Sequence, residues 1–75
     1  GPARRRLGRS VNDPRSLALL EDLQERTALR ARCDPPDHDT ARWFAQQLAG
    51  VRADLPRADV LRLETLAERL TGVKA

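Results

Sequence analysis

Seventy-five residues with a net charge of +3 limit the chain to one domain whose core is too small to be stable by a wide margin. A single cysteine excludes an internal disulfide and fits a reducing, cytoplasmic setting. No apolar run approaches the roughly 18 residues of a membrane span, and no signal-peptide core is expected.

Gly1-Pro2 reads as the scar of a cleaved tag and is set aside. Thirteen arginines against one lysine point to a GC-rich, bacterial coding sequence. Residues 1–12, GPARRRLGRSVN, carry Arg4, Arg5, Arg6 and Arg9, so the tail holds +4 and the remainder −1. Little apolar content and two glycines predict a disordered basic tail. The folded domain is expected over 13–75.

Asp13-Pro14 opens the first helix. The aspartate can accept a first-turn N–H, and proline suits the first helical position. Leu20, Leu23, Thr27 and Ala31 then recur at 3/4 spacing, which predicts a helix over about 14–33. It should stop at Cys33, because Pro35 and Pro36 disfavour helical geometry before them. A second helix, about 38–55, starts at Asp37 or Asp39 and carries the heptad-like seam Ala41, Phe44, Leu48, Val51 and Leu55. Gly50 lies inside it, either to admit a close neighbour or to end it early. A third helix, about 57–71, follows Leu55-Pro56 with Pro56 suited to its first position, carries Val60, Leu63, Ala67 and Leu70, and ends at Gly72. No segment alternates like a strand. The expected fold is all-α, a small bundle of three helices made of a helical hairpin plus a third helix.

The corner CDPPDHDTARWF, residues 33–44, holds the only cysteine and histidine and both aromatics. Cys33, His38 and the aspartates are ligand types that zinc uses, but structural zinc sites take four Cys/His ligands, and this chain has one of each. A Cys33–His38 nucleophile and base would need an orienting group and an oxyanion hole. The corner reads better as helix punctuation: prolines end one helix, and Asp37 or Asp39 caps the next. No metal, cofactor, small-molecule substrate or catalytic residue is expected, and the chain is not expected to be an enzyme.

Near the C-terminus, LETLAERLTGV resembles the start of a helix-turn-helix, in which an LAERLG-type segment leads into the turn. The chain ends at Ala75, where the recognition helix would begin, so this segment alone places no helix in a DNA groove.

Trp43 falls at the seam's edge, as a bundle-closing side chain or an interface anchor. Leu17, Leu29 and Leu61 fall off the seams and suggest a second apolar surface. The expected function is a non-catalytic protein–protein interaction module. It would act as an adaptor, regulator, or docking or oligomerisation domain that binds a partner, or a second copy of itself, through Trp43, Leu17, Leu29 and Leu61. The alternative is a nucleic-acid-binding or transcription-regulatory protein using Arg4, Arg5, Arg6 and Arg9. No basic stripe is expected to continue onto the folded body.

Overall fold

The computed structural model describes residues 11–31 and 33–74. Among them lie three α-helices and a 3-10 turn, with no strand: α1 (Pro14–Thr27), α2 (His38–Val51), the turn Arg52–Asp54, and α3 (Arg57–Thr71). The all-α three-helix architecture is as the periodicity dictates.

Asp13 caps α1 from extended backbone, its carboxylate accepting the Arg15 N–H at 2.8 Å. The helix ends at Thr27, short of the Cys33 expected. Side chains compete with the backbone here. The Thr27 hydroxyl donates back to the Leu23 carbonyl at 2.9 Å, and Asp34 accepts the Ala31 N–H at 2.8 Å, offering local alternatives to the helical ladder. Arg30 swings away to donate to the carbonyls of Leu70 and Pro35. Ala31, expected on the core stripe, is therefore exposed.

Asp37 caps α2 by accepting the Thr40 N–H at 3.0 Å. The helix tightens into the 3-10 turn after Val51 instead of running on to Leu55. Pro56 forces Leu55 into extended geometry (φ −101°, ψ 151°), as the residue before a proline prefers, and 3-10 tightening is the common way for a last turn to close. Gly50 admits no neighbour: nothing lies within 4 Å of where its Cβ would be. Pro56 occupies the N-cap of α3 and not its first helical position. Gly72 ends α3 in the left-handed region (φ 76°), its N–H donating to the Glu68 carbonyl at 2.8 Å.

Hydrogen bonds between the ends set the helix directions. The Asn12 N–H meets Asp59 in the first turn of α3, and Arg30 meets Leu70 in its last, so α1 and α3 run in the same direction. The Asp37 N–H donates to the Thr71 carbonyl at 2.8 Å, so α2 runs opposite to both. All three helices touch one another. Leu20, Leu23, Phe44, Leu48, Val60 and Leu63 meet in the core, with Leu55 beneath the turn. Full burial of such a side chain stabilises by about 1.5–3 kcal/mol.

The expected tail boundary at residue 12 is corrected. Val11 is buried in the core, 3% exposed, and Asn12 is tied to α3. Asp59 makes the tie. Its carboxylate, 1% exposed, accepts the N–H groups of Asn12 at 3.0 Å and Asp13 at 2.9 Å. Burial alone would raise its pKa, but the N–H donors of Asp13 and Asn12 outweigh that and hold it below the ordinary carboxylate value. The buried Ser16 hydroxyl faces this carboxylate but falls short of hydrogen-bond geometry.

A candidate docking groove between the second and third helices

Four residues make 400°, little more than a full turn, so Ala41, Ala45 and Ala49 stack along one flank of α2. Phe44 and Leu48, on the neighbouring positions, are buried. The alanine flank faces α3, where Glu64, Ala67, Glu68 and Thr71 line the opposite wall. Methyl groups are too short to fill the space between the helices. An open groove of about 390 Å³ remains, floored by Phe44 and Leu48. His38, Val73 and Lys74 lie at one end of it, and Arg52 at the other. Arg52 bridges the walls through Glu64 at 3.0 Å. Beyond it lies a smaller hollow of about 140 Å³, lined by Leu55, Arg57, Val60 and Leu61 and sharing Arg52 with the groove.

The rims differ in sign. The α2 wall carries His38, Arg42 and Arg52; the α3 wall carries Glu64 and Glu68, with Lys74 past its end. Among the described residues Arg42 forms an ion pair only with Asp39 of its own helix, at 3.9 Å. Glu68 makes no ion pair among the described residues.

The side chains expected to form the interface are dispersed. Trp43 is half-buried on the other flank of α2, its ring tilted against Phe44 with centroids 6.2 Å apart. The Arg26 guanidinium of α1 lies 3.7 Å from the centre of the Trp43 ring, a cation–π contact that leaves the ring engaged within the chain. Leu17 is half a turn around α1 from Arg26, partly buried against the core. Leu29 is 100% exposed beyond the end of α1, and Leu61 is 50% exposed. Of the four, only Leu61 borders the hollows. Arg4, Arg5, Arg6 and Arg9 lie outside the described residues.

Cys33 is exposed in the connection between α1 and α2, and His38 is exposed at the groove's mouth. Among the described residues no three His, Cys, Asp or Glu side chains gather as a metal site would require, and no helix is long and apolar enough to cross a membrane. The alanine flank escapes sequence reading because alanine scores as a helix former and only weakly as a surface. Its i, i+4, i+8 spacing is the signal that could have marked it. No family model, curated protein or solved structure matches the chain.

Proposed function

We propose that this chain is a non-catalytic protein–protein interaction module that docks an amphipathic helical partner over the groove between α2 and α3. The observation that carries this reading is the groove itself: an apolar trough with charged rims on two rigid helices, the form in which a helix is bound through i, i+3, i+4 anchors. It would serve as an adaptor or docking element of a bacterial cytoplasm. The exposed thiol of Cys33 suits a reducing compartment.

Photo-crosslinking tests this. A benzophenone amino acid at position 45 should give protein adducts in the source cell, while the same group at exposed position 25 of α1 should give none. Equal labelling at both positions, or none at 45, would refute the groove as a docking surface.

A second reading draws on the outer face of α3. Arg62 and Arg69, seven residues apart, fall on one exposed face of the helix, and no exposed residue of α3 is acidic. Salt-dependent binding to duplex DNA or RNA, weakened by Arg62→Ala and Arg69→Ala, would support it. Flat titrations at low salt would end it.

A further inference from the structure

We infer that the occupant of the groove is a second copy of this chain, laid groove to groove with the two-fold axis running along the groove. The inference rests on the docking reading above and adds the partner and its orientation.

Symmetry and charge together select the arrangement. Two identical faces that meet in a closed dimer are related by a two-fold axis lying in the interface. An axis across the groove would set each rim on its own kind, Arg42 near Arg42 and Glu68 near Glu68. An axis along the groove sets the basic α2 rim of one copy on the acidic α3 rim of the other. Only the second arrangement is complementary, and complementary rims fix orientation more than they add affinity.

The registers agree. The Asp37–Thr71 hydrogen bond pins the two helices at one end. Arg42 is five residues along α2 from that point and Glu68 three residues back along α3. At about 1.5 Å per residue, they lie at levels within roughly 3 Å of each other. An axis along the groove preserves level, so Arg42 of one copy meets Glu68 of the other. The same count brings the half-exposed Leu61 of one copy to the level of Ala49 of the other. The alanine flank lets the helices approach at the near end of the usual 8–10 Å range. The product is a four-helix arrangement, α2 and α3 from each copy, with antiparallel neighbours.

Sedimentation equilibrium from micromolar to millimolar chain tests the inference. The unaltered chain should reach twice the mass of one chain. Ala45→Arg should return it to single mass with helical circular dichroism unchanged. Arg42→Glu and Glu68→Arg should each be single-mass alone, because position 42 of each copy then meets a like charge at position 68 of the other. Mixed together they should form a one-to-one heterodimer with both pairs complementary. Single mass for the unaltered chain throughout the series would overturn the second copy as occupant; adducts to other proteins from position 45 would then leave the groove a docking surface for a different partner. A dimer indifferent to Ala45→Arg would overturn the groove as its interface. A dimer broken by that variant, with no heterodimer from the mixture, would overturn the orientation.

Discussion

Towards α1, the flank of α3 is closed: Leu17 packs against the core, and the Asp59 carboxylate grips the incoming chain at Asn12 and Asp13. Towards α2, the flank stays open, because alanines at 41, 45 and 49 leave about 390 Å³ unfilled above Phe44 and Leu48. Both flanks are helix against helix, and both neighbours start from an aspartate cap. The difference lies in side-chain volume and in one buried charge. A bundle of this size can therefore keep its fold on one side and hold a surface in reserve on the other.

The closed flank depends most on Asp59. Asp59→Ala leaves two backbone N–H groups without their charged acceptor and should cost about 3 kcal/mol of stability, read from urea denaturation. A loss no larger than that of an ordinary surface substitution would mean that the closed flank does not depend on the carboxylate.

Acid should act on the same flank and also at the Asp37 cap of α2, whose pKa is lowered by its hydrogen bonding to Thr40. The Asp59 pKa is lowered from 3.8 by the balance already described, and that of Asp13 is lowered mainly by its side-chain bond with Arg15 and then by the Arg15 N–H. A carboxylate with a lowered folded pKa stabilises fully above its unfolded value and loses that contribution as pH falls through the folded value. Stability should thus be flat through neutral pH and decline below about pH 3.8, with a shallower decline in Asp59→Asn. A decline that begins near neutrality would point to another group.

Leu17→Ala tests the apolar part of the closed flank. Its partial burial predicts a loss of about 1.5 kcal/mol, again by urea denaturation, with no change in helical content. The matching change on the open flank is Ala45→Leu. At concentrations low enough to keep chains apart it should shift stability by no more than about 0.5 kcal/mol in either direction, because the groove has room for the longer side chain. A loss as large as that at Leu17 would mean that the α2 flank is as tightly closed as the α1 flank.

Local chemistry in the sequence determined much of this fold. Asp13, Asp37 and Gly72 each act where their residue type suits a helix end, and Leu20, Leu23, Phe44, Leu48, Val60 and Leu63 repeat at helical spacing and meet in the core. These are short-range effects, written in neighbouring residues. The end of α1 was less legible, since hydrogen bonds donated by Thr27 and Arg30 and accepted by Asp34 override good helix formers there. Tertiary structure alone decided the burial of Val11 and Asp59 and the hydrogen bond that joins Asn12 to Asp59 across 47 positions of chain. It also decided that Trp43 is held by Arg26 and that three alanines face a gap. Periodicity tells which face of a helix is apolar, but how much space lies opposite that face depends on where the neighbouring helix runs.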